Sequence, residues 1–527
     1  MRTLSADVVV IGGGTTGVGV LRDLAMRGHD AILVERADLA QGTSGRFHGL
    51  LHSGGRYVVS DALSAAECAA ENAIVTRIQP GAVETTGGLF VCLPGDDPAF
   101  GDRFLEGAKK AGVWAKEITP AHALELEPRL NPGLSRAFEV HDGSVDGWQI
   151  VWSAAASARD HGAQVLTYHE VVGIESEQGH VTQVRVHDRR GGETLAIDTR
   201  FVLNCAGPWA GKVAALAGLG PVEVVPGRGI MIAMNHRLVH HVINRCIPPA
   251  DGDILVPNHT VCIIGTTDIK VEDPDHLEIT REEVQQMLDA GEAMIPGFRS
   301  ARALRAWTGA RPLIRDSRVA AGDTRHMSRG MQIMDHQERD GLGGMLTVGG
   351  GKLTTYRLMA EHVVDAMEDQ IGEHNPCRTA AEPCPSSGDR THRLSRRHAD
   401  REQYRRDGPD PDPVLCECEL MTKSMFTKLA ESQPLASLDD LRRQLRFGMG
   451  PCQGGFCSTR LAALTLEQGH ADAERATELL RAFLAHRWQG LTPILHGDQL
   501  RQACLDHWIL QGILDLAHLP APSQEVV

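Results

Sequence analysis

No apolar stretch in this 527-residue chain approaches the eighteen or so residues that a membrane-crossing helix needs. The amino terminus, MRTLSADVVVIGGG, has only a short apolar run before three glycines, too short for the core of a signal peptide. Positive charge is also in short supply: 53 Lys and Arg stand against 68 Asp and Glu, for a net charge of −15. That balance excludes a broad nucleic-acid footprint, although not a local basic patch. No internal repeat is visible. These absences predict a cytoplasmic protein whose membrane contact, if any, is peripheral. In that compartment the twelve cysteines argue against a disulfide framework, and clustered ones point to metal or redox chemistry. With 42% hydrophobic residues the chain can build large cores, and its length suggests about three domains.

What is present begins at residue 7. DVVVI is a short apolar run suited to a buried parallel strand, followed by Gly12-x-Gly14-x-x-Gly17 and a helical pattern closed by Gly28. A second strand, AILVE, ends on Glu35, with Arg36 next. This order predicts a dinucleotide-binding unit. The glycines let backbone N–H groups approach a pyrophosphate at the helix N-terminus, and Glu35 can accept hydrogen bonds from a ribose diol. NAD and FAD both suit that unit. Two later strand–glycine segments tilt the choice to FAD: FVLNCAGPWAGKV, holding Ala206 and Gly207, and MLTVGGGKLTTYRLMAEHVV, holding Gly350, Gly351, Leu353 and Thr354. The helix expected in the second would open near Lys352 and aim its positive end at a flavin ring.

A second constellation lies far downstream. VLCEC carries Cys416 and Cys418, and FGMGPCQGGFCSTR carries Cys452 and Cys457. Three readings compete: four free cysteines gathered by chance, a structural zinc, whose usual signature is a C-x2-C pair, and a [2Fe–2S] cluster. Glycines at 448, 450, 454 and 455 let N–H groups crowd the second pair, which favours an anionic cluster. The other cysteines are scattered and read as core or incidental.

The predicted organisation is a flavoprotein unit over 1–375, whose substrate cap is drawn from about 80–150 and 220–330. A linker over 376–413 follows, then a cluster module over 414–470 and a helical tail over 471–527. Arg393, Arg397, Arg401 and Arg405 recur every four residues in the linker, reading as one solvated helical face.

The segments IGGGTTGVGVLRDLAMRG, SGRFHGLLHSGGRYVVSDALSAAEC, VDGWQIVWSAA, INRCIPPADGDILVPN, TGARPLI and GGGKLTTYRLMAEHV together resemble FAD-dependent glycerol-3-phosphate dehydrogenases. The likeness is greatest to the large catalytic A subunit of the anaerobic, three-subunit, quinone-linked kind, and it covers nearly the whole chain. The four-cysteine spacing resembles the bacterioferritin-associated-ferredoxin-like [2Fe–2S] module that ends such large subunits. The resemblance implies an α/β fold: an FAD-binding Rossmann-like domain of the glutathione-reductase or D-amino-acid-oxidase type, an antiparallel-sheet cap and a small helical cluster module. It implies oxidation of sn-glycerol 3-phosphate to dihydroxyacetone phosphate, with electrons leaving through the cluster to a second soluble subunit, an iron–sulfur membrane-anchoring subunit and a quinone. The place implied is the inner face of the cell membrane.

Hydride removal from a secondary alcohol needs an acceptor, a base and charge balance, and a phosphate dianion needs cations, best the planar fork of arginine. Arg56, Arg311 and Lys352 match the family's motif cations, and Tyr57 follows Arg56 in HSGGRY. Thr43, Ser44 and Thr354 match positions that contact FAD. His52, with His48 nearby, is the expected proton acceptor. Single-chain relatives carry a histidine in the segment equivalent to VVPGRGIMI, where this chain has Arg228 and Gly229, so the base is not transferred. A rival reading on the same scaffold is an amino-acid or 2-hydroxy-acid dehydrogenase or oxidase. A third reading, an electron carrier that merely retains the fold, does not explain a cap of this size.

Overall fold

The computed structural model describes residues 2–314, 330–385, 412–432 and 435–515. Its nucleotide-binding part is a six-stranded sheet in the order 164–167, 31–35, 8–11, 201–204, 345–349 and 332–335. The first five strands run parallel and the last antiparallel. Side-chain alternation sorts the apolar runs onto two faces. Val8, Val10, Leu33 and Leu203 pack on the helices Thr15–Arg27, Gly147–Asp160 and Tyr356–Ile371. Val9, Ile11, Ile32, Val34 and Val202 face a four-stranded sheet built from Arg2–Ser5 and residues 169–198. Burial on both faces is why these strands read as unbroken apolar runs.

The cap is a nine-stranded sheet assembled from three segments, 88–140, 224–270 and 303–314. Its two long strands, Val224–Met234 and Ala303–Ile314, pair antiparallel from Val224↔Ile314 to Met234↔Ala303. One join departs from the expected antiparallel pattern: Val242–Arg245 runs parallel to Gly88–Cys92. Leu89, Val91, Ile230, Ile232 and Ile264 close over the helix Arg281–Met294. A reciprocal Thr280–Glu283 capping box starts that helix.

Residues 376–385, read above as linker, are fastened to the nucleotide-binding part. Arg22 donates to the carbonyls of Thr379 (3.1 Å) and Glu382 (2.6 Å), and the Cys384 N–H donates to the Ile78 carbonyl (2.8 Å). The arginines at 393, 397, 401 and 405 lie outside the described residues. The cysteine region forms a hairpin, Val414–Cys416 with Met421–Thr422, and helices Lys423–Ser432, Leu438–Leu445, Cys457–Glu467 and Ala473–Leu491 around Phe426, Leu441, Phe447, Leu461 and Phe483. The chain then returns to the cap, where Leu491 and Ile494 join the cap core. Among the described residues no helix is long and apolar enough to cross a membrane.

Candidate active site and cysteine centre

The glycine turn forms a cradle because side chains would not fit there. Gly12 has φ +113°, and a Cβ on Gly17 would lie 1.8 Å from the Gly12 carbonyl oxygen. The second turn closes on the first: a Cβ on Gly12 would lie 2.6 Å from the carbonyl of Cys205, beside Ala206 and the left-handed Gly207. Gly14 caps the helix Thr15–Arg27 with no side chain, and the Thr15 N–H donates to the Ser44 hydroxyl (2.9 Å). Glu35 ends its strand with Oε2 accepting from Gly13 N–H (2.7 Å) and Oε1 from Ala37 N–H (2.9 Å). Arg36 stacks 4.6 Å above the Trp209 ring and pairs with Asp275 of the cap (2.9 Å). A bare helix N-terminus, a glycine cradle and an acid at the strand end fit the pyrophosphate and ribose of FAD.

In the third glycine segment the structure corrects the expectation. The helix begins at Tyr356, not at Lys352. Gly350 and Gly351 have φ of +73° and +78°, which no right-handed helix accommodates, and the chain turns through Leu353 and Thr354 before the helix starts. Lys352 thus sits on the turn, where Nζ donates to Ser64 Oγ (2.8 Å) and lies 4.9 Å from the Tyr57 ring centre. The buried Thr354 hydroxyl accepts the His52 N–H (3.1 Å).

A cavity of about 100 Å³ opens between the cap and the 43–56 segment. It brings together His48, His52, Arg56 and Arg311, and adds Arg46 and Asp268. Arg56 forks onto Asp253 (2.8 and 3.0 Å). Arg311 donates to Asp268 (3.0 Å), to the Thr267 carbonyl (3.1 Å) and to the Thr266 hydroxyl. A Cβ on Gly229 would stand 2.9 Å from Arg311 Nη2, so glycine there keeps the guanidinium's path open. Arg228 points the other way and is buried against Glu283 (2.8 Å). Thr43, expected at the cofactor, lines this cavity instead, its hydroxyl donating to the Ala310 carbonyl (2.6 Å). Tyr57 and Lys352 stand behind it, the Tyr57 ring 5.3 Å from that of His52.

Sequence reasoning passed over Arg46. Among the described residues no carboxylate pairs with it, and burial together with the guanidiniums of Arg443, Arg36 and Arg442 pulls it below the usual arginine range. Its one cue was its place in SGRFHG, two residues before His48.

The four cysteines converge two by two. Cys416 is hydrogen-bonded to Cys457, and Cys418 to Cys452. Among the described residues no set of three or more His, Cys, Asp or Glu closes around a single ion. The Cys418 thiol, with the N–H groups of Gly454, Phe456 and Gly455, draws the Cys452 thiol down to about 5 against the effect of burial. Iron-depleted protein should therefore be carboxymethylated at Cys452 with a rate that rises to half its maximum near pH 5, the thiolate being present above that pH. A midpoint near the ordinary thiol range, tracked by peptide mass spectrometry, would contradict this environment. Elsewhere Cys92 and Cys246, on adjacent cap strands, form another hydrogen-bonded pair that their spacing concealed.

The parallel sheet with its glycine cradle, overlaid by a large cap, defines a flavin-dependent oxidoreductase. The model of the family described as FAD dependent oxidoreductase matches residues 7–365, and the chain belongs to that family. More particularly, it is a member of the family of large catalytic chains of anaerobic glycerol-3-phosphate dehydrogenase, those named as its A subunit. It is 42% identical over 530 residues to the protein so named in Escherichia coli (strain K12), covering 97% of both chains. To the A1 chain of the Haloferax volcanii enzyme it is 40% identical, covering 98% of this chain and 92% of that one. Among solved structures, glycerol-3-phosphate dehydrogenase from Bacillus halodurans complexed with FAD matches with a TM-score of 0.66 at 22% identity, over 94% of this chain and 96% of that one. Glycine oxidase from Geobacillus kaustophilus matches with 0.57 at 19%, over 72% and 99%. The two structures establish likeness of fold alone.

Proposed function

We propose that the chain oxidises sn-glycerol 3-phosphate to dihydroxyacetone phosphate and delivers the electrons to partner subunits and a membrane quinone. The observation that carries this reading is the gathering of Arg46, Arg56 and Arg311 with His48 and His52 in one cavity. Three guanidiniums suit a phosphate monoester, whereas an unphosphorylated amino or hydroxy acid asks for fewer cations. The relatives' printed names supply the same substrate.

FAD, when bound, supplies the hydride acceptor and the change from two-electron to one-electron chemistry. The chain's own residues orient the substrate. Asp253 and Asp268 hold the Arg56 and Arg311 forks in place, so little reorganisation is needed as the dianion binds. His48 Nδ1 accepts the Leu50 N–H (3.1 Å), which leaves the neutral ring's proton on Nε2 and makes it a donor. His52 is then the proton acceptor for the substrate hydroxyl. Lys352 and Tyr57, behind His52, oppose negative charge on that oxygen.

A [2Fe–2S] cluster on Cys416, Cys418, Cys452 and Cys457 supplies a one-electron outlet. Pairing of the thiols supports it over zinc, since two irons take two thiolates each while one tetrahedral ion draws four sulfurs around a point. The relatives are named as one lettered chain of an enzyme, which implies further subunits. We assign these as an iron–sulfur subunit that anchors the assembly at the cytoplasmic face of the membrane, together with a second soluble one.

An anaerobic titration tests the reading. Glycerol 3-phosphate should bleach the flavin band and then the iron–sulfur absorbance, while proline, sarcosine and 2-hydroxyglutarate leave both unchanged. Bleaching by one of those three and not by glycerol 3-phosphate would reassign the substrate.

A further inference from the structure

The cap sends one hairpin into the cysteine centre. Its strands, Ile254–Asn258 and Val261–Gly265, are joined by His259 and Thr260, and His259 takes a left-handed φ of +49° to make the turn. Three consecutive residues at this tip meet the cysteine region. Asn258 Oδ1 accepts from Arg446 Nη2 (2.8 Å). His259 Nδ1 lies 3.0 Å from Glu419 Oε2, next in sequence to Cys418. The third contact is incomplete. The Thr260 hydroxyl is sealed from solvent and has no hydrogen-bond partner. The position a Cβ would occupy on Gly450 lies 2.9 Å from Cys418 Sγ and 3.2 Å from Thr260 Oγ1. Glycine at 450 thus keeps open a gap with a thiol on one side and an orphaned hydroxyl on the other.

A buried hydroxyl without a partner costs about 1–3 kcal/mol, and two neighbouring residues already hold the hairpin in place. The carbonyls near the tip have their donors, as in Arg237 Nη1 to the His259 carbonyl (3.0 Å). The acceptors that a thiol lacks and a sulfur-ligated cluster provides are electron-rich thiolates and sulfides. We infer that Thr260 is a positioning residue of the cap that donates a hydrogen bond to sulfur on the Cys418 side of the cluster and sets its reduction potential. The inference rests on the cluster assignment proposed above. Reduction adds negative charge that is spread over the sulfurs, so a donor aimed at them favours the reduced form and raises the potential. Cap and redox centre are thereby linked by chemistry as well as by packing.

The test compares wild type, Thr260→Val and Thr260→Ser by iron and acid-labile sulfide content and by redox titration of the cluster's paramagnetic signal. Thr260→Val should keep the wild-type iron and sulfide content while its potential falls. At a fixed ambient potential its reduced-to-oxidised ratio drops about tenfold, or roughly 59 mV for a one-electron couple. Thr260→Ser, which retains the hydroxyl, should titrate as wild type. If the valine variant loses its cluster, Thr260→Ala is read in the same way. An unchanged potential in the hydroxyl-free variants, or an equal fall in the serine variant, overturns the inference alone. Wild-type protein that carries zinc, or no iron, defeats the cluster assignment as well.

Discussion

Replacement of Arg311 by alanine is expected to lower kcat/KM for glycerol 3-phosphate about a hundredfold, near 2.7 kcal/mol of lost transition-state stabilisation. Two effects contribute. The guanidinium fork is removed from the cavity, and the buried Asp268 loses its Arg311 contact at 3.0 Å. Arg311→Lys should recover only part of the loss, because an ammonium cannot span Asp268, Thr266 and the Thr267 carbonyl from one plane. Stopped-flow reduction of the flavin separates this from damage downstream. Near-normal kinetics in Arg311→Ala would remove the residue from the substrate site.

The second large effect concerns stability. Arg446 is buried between three acceptors: Asp146 (3.0 Å), Glu419 (3.2 Å) and Asn258 (2.8 Å). These belong to the helix cap at 146, the cysteine loop and the cap hairpin, so one side chain ties three parts of the molecule together. Removing one partner of a buried ionic set leaves uncompensated charge, and Arg446→Ala should cost about 3–5 kcal/mol. Hydrogen exchange should show the loss concentrated in residues 412–515. A change under about 1 kcal/mol, or one spread evenly through the chain, would deny the residue that role. Burial opposes ionisation of Glu419, yet His259 and Arg446 outweigh it and hold its carboxyl down to about 2. The stabilisation is fully present above the ordinary carboxyl range near 4.5 and is lost as pH falls toward 2. Acid should therefore loosen the same contacts that the mutation removes.

The elements legible in the sequence were those specified locally. Gly12, Gly14 and Gly17 stand between two apolar runs because a turn at φ +113° and a 1.8 Å approach admit nothing larger. Glu35 was legible for the same reason, at the end of a strand whose length and neighbours were plain. Partners across the chain left no trace. Asp268 lies 43 residues from Arg311, Asp253 lies 197 from Arg56 and Asp146 lies 300 from Arg446. None of these acids differs by local pattern from the exposed acids around it. The start of the helix at Tyr356 was misjudged because a glycine pair can either cap a helix or forbid it, and only the backbone angles decide. Arg446 and His259 hold left-handed conformations, with φ +62° and +49°, that nothing in their side chains foretells.

The strand Val261–Gly265 begins beside Thr260 at the cysteines and ends where Thr266 receives Arg311 in the cavity. At about 3.3 Å per residue it is a strut of roughly 17 Å. Pulling its cavity end outward displaces its far end too. A cap that swung to admit substrate would drag the electron outlet along, so fuel must enter through a door that leaves this beam at rest.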